Sequence, residues 1–191
     1  MTTAADLEQL LPPEARTWLT QARQQPLAEV FPAAARSVGR TELSAGWTVD
    51  LVVRVLLLVE VPAEDVLEVY RFGDAAEKHA VLWGLGVGEV EEQVGEEGLV
   101  IVADAVRTND QRLLAAALGP YATKWLPQAE FRQAVLKCVF AGVPLEVVDG
   151  LPARADAELT RMMKDFAAER TAAGREVPAD LQPYLTALRG A

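Results

Sequence analysis

Cysteine and histidine are almost missing from this chain: its 191 residues include one of each, Cys138 and His79. A single cysteine closes no internal disulfide, and the pair cannot furnish a Cys/His zinc site of ordinary spacing, so no metal is expected. Positive charge is also scarce. Against 28 Asp and Glu stand 18 Lys and Arg, giving a formal charge of -10 and a sequence pI near 4.6. Such a chain repels phosphate backbones and anionic membrane surfaces, and no local Lys/Arg cluster offsets this, which argues against nucleic acid as a partner. Long apolar runs are absent too. The most apolar stretch, LVVRVLLLVEV at 51–61, is interrupted by Arg54 and Glu60 and falls well short of the ~20 residues needed for a membrane span. The opening MTTAADLEQLLPPEAR has no basic start followed by an apolar stretch, so it does not read as a secretory signal. These absences lead to the expectation of a soluble protein in a reducing, cytoplasmic compartment, with no direct membrane insertion.

Strand signals are lacking as well: no alternating apolar pattern flanks an Asn-Gly or Asp-Gly turn. What is present is helical spacing of alanine, leucine, valine and glutamate, with 51% hydrophobic side chains, enough for a full core. The fold class expected is all-α. Breaks at Pro12-Pro13, Pro26, Pro32, Pro62, Gly73, Gly119-Pro120, Pro127, Gly142, Pro144, Gly150, Pro152, Gly174 and Pro178 divide the chain into about ten short helices. Asp74 with Glu77 reads as a capping pair opening DAAEKHAVLWGL, and Pro62, Pro127 and Pro152 sit where first-turn prolines belong. WTVDLVVRVLLLVEVPAEDVL, DAAEKHAVLWGLGVGEVEEQV and AEFRQAVLKCVFAGVPLEVV share a pattern of polar start, apolar helix, Gly/Pro turn and second short helix. Repeats of that kind stack into a HEAT-like, α-solenoid-like array; an irregular helical bundle is the alternative.

Candidate chemistry is sparse. GLGVGEVEEQVGEEGLVIVAD at 84–104 imitates a dinucleotide-binding loop, but Glu89 or Glu91 occupies the position of the third glycine, so close approach to a pyrophosphate is not provided. His79 lies two residues from Glu77, off its face, which favours a solvent-side or capping role. Cys138 continues the apolar series of Phe131, Ala134 and Val135 and reads as core. In AEFRQAVLKCVFAG, Leu136 and Phe140 widen the apolar surface, so burial on two sides is expected, with Gln133 and Lys137 one turn apart on the remaining face. A partly buried lysine needs a carboxylate or a ligand; Asp104, Asp165 and Glu158 are the candidate structural partners. Along 152–174, Arg154, Glu158, Arg161, Asp165 and Glu169 form a charged ladder. On one continuous helix it borders the stripe of Leu151, Ala155, Leu159, Met162 and Phe166, while Asp156, Thr160, Lys164 and Thr171 face water. Exposed ion pairs contribute only ~0–1 kcal/mol each, so a binding wall competes there with plain salt bridges.

FPAAARSVGR (31–40), FGDAAEKHAVL (72–82), DAVRTND (104–110), PYATKWL (120–126), QAVLKCVFAGVPLEVVDGL (133–151) and RADAELTRMMKDFAAERTAAGREVPADL (154–181) together resemble the EboA family. The resemblance runs from about Phe31 to Leu181, with its most specific part at the carboxy end. It divides the chain into an amino-terminal helical extension at 1–30 and one EboA-like helical domain at 31–191. It implies a bacterial helical protein from an ebo-type operon, whose neighbours look like a UbiA-type prenyltransferase and several metabolic enzymes. The associated role is traffic of a small metabolite or natural-product precursor. Positions matching the family's polar motif residues are Arg107, Asn109, Tyr121, Gln133, Lys137, Arg154, Arg161 and Asp165, expected here as ligand-binding rather than catalytic. Gly119, Arg132 and Phe166 depart from the family's usual asparagine, asparagine and tyrosine.

Three functions fit these residues. A non-enzymatic binding or adaptor protein would hold a small anionic or polar metabolite, or a partner enzyme of the same pathway, on a face lined by Arg107, Gln133, Lys137, Arg154 and Arg161. An enzyme would use Lys137 with Asp165 or Glu158 as a proton-transfer pair. A purely structural protein would dock partners with no pocket. No cofactor is implied, since neither a metal cluster nor a phosphate loop is present.

Overall fold

The computed structural model describes residues 2–186 and is all-α apart from one small hairpin. More helices form than the sequence suggests, fourteen among the described residues, because several stretches that read as one helix are cut by a cap. The chain divides into two compact units between Ala105 and Val106.

In the first unit, α1 (Ala4–Leu10), α2 (Pro13–Ala22) and α3 (Leu27–Val38) are followed by strands β1 (Glu42–Ser44) and β2 (Trp47–Thr48). The helices α4 (Val49–Leu58), α5 (Ala63–Phe72), α6 (Ala75–Gly84), α7 (Gly88–Val94) and α8 (Leu99–Arg107) complete the order. The α4 segment is buried on every side, its two charged residues included. It packs against α1, α2, α3 and α6. That places one helix at the centre of its neighbours, as in an irregular bundle; in a solenoid each repeat touches only the repeats beside it. Gly84 permits the close approach of α6: a Cβ there would lie 3.1 Å from Leu58 Cδ1. The first thirty residues contribute Leu7, Leu11, Ala15, Leu19 and Ala22 to the buried interior of this unit.

The hairpin escaped the sequence reading because its turn is Ala45-Gly46, with φ of 47° and 83°. Alanine seldom adopts the left-handed region, so the usual Asn-Gly signal is missing. Trp47 compensates by packing edge-on against Trp83 of α6, with ring centroids 4.6 Å apart. His79 takes part as well, its ring 5.8 Å from that of Trp83. The Asp74–Glu77 capping box forms as expected, whereas Pro62 and Pro127 serve as N-cap residues rather than first-turn positions.

The second unit contains α9 (Gln111–Ala117), α10 (Pro120–Trp125), α11 (Gln128–Ala141), α12 (Leu151–Arg154), α13 (Ala157–Ala172) and α14 (Gln182–Thr186). α11 packs on α9 and α13. It ends at Gly142, whose left-handed backbone (φ 72°) lets Val143 N–H close back on the Cys138 carbonyl at 2.9 Å. Gly150 (φ 64°) is tighter still, since a Cβ there would lie 2.4 Å from Thr123 Cγ2. Thr123 in turn donates its hydroxyl to the Asp149 carbonyl at 2.7 Å.

Two charges lie inside α4. Asp50 and Arg54 are 5% and 3% exposed, and burial of this kind is tolerated only when both ions are paired and hydrogen-bonded. Arg54 Nη1 donates to Asp50 Oδ2 at 2.9 Å and Nε donates to the Phe31 carbonyl at 3.0 Å, while Thr48 Oγ1 donates to Asp50 Oδ1 at 2.7 Å. Replacing Asp50 with alanine would strand the Arg54 charge in the core. Urea unfolding of Asp50→Ala is expected to show a loss of about 3–5 kcal/mol, most of it recovered in the double variant Asp50→Leu/Arg54→Met.

Candidate functional site

All eight positions singled out by the resemblance fall in the second unit or at its first residues. Arg107 closes α8 and is exposed; Asn109, also exposed, lies in the turn that follows. Tyr121 is 2% exposed in α10, its ring centroid 6.2 Å from that of Trp125. Gln133 and Lys137 occupy successive turns of α11, exposed and half-buried respectively. Lys137 Nζ donates to Asn109 Oδ1 at 3.4 Å, a long bond at the edge of hydrogen-bonding range.

The charged ladder is not one surface. Ala155 is extended (ψ 98°) and Asp156 caps a new helix, so Arg154 ends α12 while Glu158, Arg161, Asp165 and Glu169 belong to α13. The buried face of α13 is accordingly rotated from the one expected for a continuous helix: Thr160, expected to face water, is 6% exposed, and Met163 rather than Met162 lies in the core.

Arg154 is turned inward. Its Nη1 donates to the carbonyls of Ala122 and Thr123 at 2.9 and 3.2 Å, and Nη2 to the Leu126 carbonyl at 2.8 Å. Gln128 Oε1 receives Nε at 3.2 Å and Nη2 at 2.9 Å. These bonds use the whole guanidinium fork to finish the carboxy end of α10, adding to the Leu126 N–H that the Ala122 carbonyl already accepts at 3.0 Å. The guanidinium carbon also lies 4.0 Å from the Phe131 ring centroid, a cation–π stack. Burial works against the charge and pulls the Arg154 pKa down.

Arg161 is held on the surface of α13. It forks onto Glu158, with Nε–Oε2 2.9 Å and Nη2–Oε1 2.8 Å, and gives Nη1 to Asp165 Oδ2. The Glu158 bond is the main cause of its raised pKa, and the same bond lowers that of Glu158. Of the three carboxylates suggested as partners for Lys137, Glu158 and Asp165 are thus engaged by Arg161, and Asp104 accepts the Tyr70 hydroxyl at 3.0 Å.

Two important residues went unrecognised in the sequence. Arg132 grips Asp156 through Nε at 3.0 and 3.1 Å and through Nη2 at 2.7 Å. Asp156 also accepts the Leu159 N–H at 2.9 Å and Gln128 Nε2 at 3.0 Å. The signal was the segment Asp-Ala-Glu after Arg154-Ala155, an acidic cap followed by a first-turn acid. α11 is also buried on one side only. Phe140 is 67% exposed, its ring edge-on to Phe166 at 4.8 Å between centroids, so the expected second buried side is absent. Gln133, Leu136, Lys137 and Phe140 instead form one accessible strip at positions i, i+3, i+4 and i+7.

Cys138 is buried, and desolvation pushes its thiol pKa up to about 12, far from a thiolate nucleophile. Among the described residues no group of three or more His, Cys, Asp or Glu could hold a metal, and no helix is long and apolar enough to cross a membrane.

Among comparisons with known proteins, the family model described as metabolite traffic protein EboA matches residues 26–186. No curated protein and no solved structure matches the chain.

The two arginines should separate in mutagenesis. Arg154→Ala removes the side-chain donors to the Ala122, Thr123 and Leu126 carbonyls and to Gln128 Oε1 and is expected to cost about 2–3 kcal/mol in chemical denaturation. Arg161→Ala should leave the midpoint nearly unchanged. Asp156 makes a pH-dependent contribution. The Arg132 hydrogen bonds, then the Leu159 N–H, hold its carboxyl below the ordinary range, so its stabilisation is present above the unfolded pKa of about 4 and lost as pH falls through the folded value. Denaturation of the wild type and Asp156→Asn from pH 6 downward should show the acid-dependent decline flattened in the variant.

Proposed function

The chain belongs to the EboA family, described as metabolite traffic proteins, and from that membership we propose that it is a non-enzymatic binding or adaptor protein, serving traffic or processing of a small natural-product precursor. The observation that carries this reading is the division of charge around α11. Arg161 engages Glu158 and Asp165, while Lys137 stands with Asn109 on an accessible strip that also presents Gln133. A lysine amide-paired in this way can give its remaining donors to a polar or anionic ligand. It is poorly placed for proton transfer with two carboxylates that are already charge-paired, which argues against the alternative of an enzyme using Lys137. Within the proposed contact surface, Arg107, Asn109, Gln133 and Lys137 meet the ligand. Tyr121 and Arg154 support it from inside, and Arg161 and Asp165 contribute a neighbouring charged edge.

A second reading is favoured by Phe140. A phenyl ring 67% exposed beside Lys137 gives the strip the mix of aromatic anchor and polar rim found at protein contacts. A partner enzyme of the same pathway is then the occupant, in a bacterial cytoplasmic setting.

The test is purification of the wild type and Gln133→Ala/Lys137→Ala from a native host, followed by mass spectrometry of what accompanies each. A small molecule or one pathway enzyme should accompany the wild type and be lost from the variant, whose helical circular-dichroism signal stays unchanged. Equal recovery from both would remove the strip from consideration, and turnover of a supplied metabolite that requires Lys137 would favour the enzyme.

A further inference from the structure

We propose that a cleft in the first unit, walled by α3, α5 and the start of α6, binds a small apolar molecule carrying an ammonium group; the inference rests on reading the chain as a binding protein and adds a ligand class. The cleft encloses about 520 Å³, within the ~300–1,000 Å³ typical of small-molecule sites. Its apolar wall comes from Leu27, Phe31, Val69 and Phe72. Phe72 is 73% exposed, so a ligand that covers it gains burial that the free chain forgoes. The walls are held close by Gly73: a Cβ there would lie 2.6 Å from the Val69 carbonyl oxygen and 2.9 Å from Glu77 Cβ. Only glycine lets α6 start so near the end of α5.

The polar lining is one-sided. Asp65, Glu68 and Glu77 line the cleft, and none of its lining residues is basic. Local helix chemistry explains two of these acids. Asp65 sits in the first turn of α5, and Glu77 accepts the Asp74 N–H at 3.2 Å in the capping box. Glu68, a turn further along α5, has no such role. Opposing them are the amino end of α3, worth about half a positive charge, and Arg71, whose guanidinium lies 5.3 Å from the Phe72 ring centroid. Three carboxylates outweigh one and a half positive charges. Pro32 adds an acceptor. It lies inside α3 and has no N–H for the Ala28 carbonyl one turn earlier, and both residues line the cleft. Carboxylates and a carbonyl around an aromatic wall suit an ammonium with an apolar body, and they disfavour a carboxylate or phosphate.

Three naphthyl probes that differ only in the polar end can test this on the full chain by calorimetric titration: 2-(2-naphthyl)ethylamine, 2-(2-naphthyl)ethanol and 3-(2-naphthyl)propanoate. The amine should bind about tenfold or more tightly than the alcohol, and the carboxylate most weakly. Asp65→Asn/Glu68→Gln should bring the amine to the alcohol's affinity. Ala28→Trp, a replacement at an exposed helix position on the cleft wall, should abolish binding of both while circular dichroism stays unchanged. Lys137→Ala should leave amine affinity as it is, so this site and the α11 strip fail separately. Absence of amine binding, a carboxylate that binds as well as the amine, or amine affinity retained in folded Ala28→Trp would each overturn the proposal.

Discussion

Helix ends are the constraint on which this structure depends. Each helix leaves up to four N–H groups at its start and four carbonyls at its end without a helical partner, and a fold made of many short helices multiplies that demand. Long helices would dilute it; the longest here is α13, of 16 residues. The chain meets the demand with charged side chains, the acids from within the helix start and the arginine from a distant segment. Asp74, Asp110 and Asp156 accept the leading N–H groups of α6, α9 and α13. Arg154 serves the trailing carbonyls of α10.

That use of charge decides what remains for function. An arginine surrounded by carbonyls has no donors to offer a ligand, and an arginine forked between two carboxylates is already neutralised. Arg154 and Arg161 are therefore part of the framework of the second unit, with Arg132 holding the Asp156 cap in place. Lys137 differs because its partner is an uncharged amide at 3.4 Å. In the first unit the same economy runs the other way. Its cleft keeps carboxylates at the surface beside an aromatic ring that no helix covers.

Much of the architecture was legible because it is local. The Asp74–Glu77 box, the Gly142 stop and the apolar stripe of Phe131, Ala134, Val135 and Cys138 follow from spacing alone. The Ala45-Gly46 hairpin was not legible, since nothing in its side chains announces a left-handed alanine; it relies on Trp47 meeting Trp83. The ladder at 152–174 was misread for a different reason. Its period of three and four survives across the break at Ala155, so arithmetic alone joins two helices that Asp156 separates.

By itself the sequence determined the all-α class, the scarcity of metal-ligating and cationic chemistry, the family, and the residues that carry charge. These depend on composition, short-range periodicity and motif identity, which need no distant contacts. Tertiary structure decided the destination of each charge. Whether Arg154 meets a ligand or the carbonyls of Ala122 and Leu126 depends on where a segment about thirty residues away ends its helix, and no local rule contains that distance. The cleft has the same origin: Leu27 and Phe72 are far apart in sequence, and only the folding of α3 beside α5 makes them walls of one space.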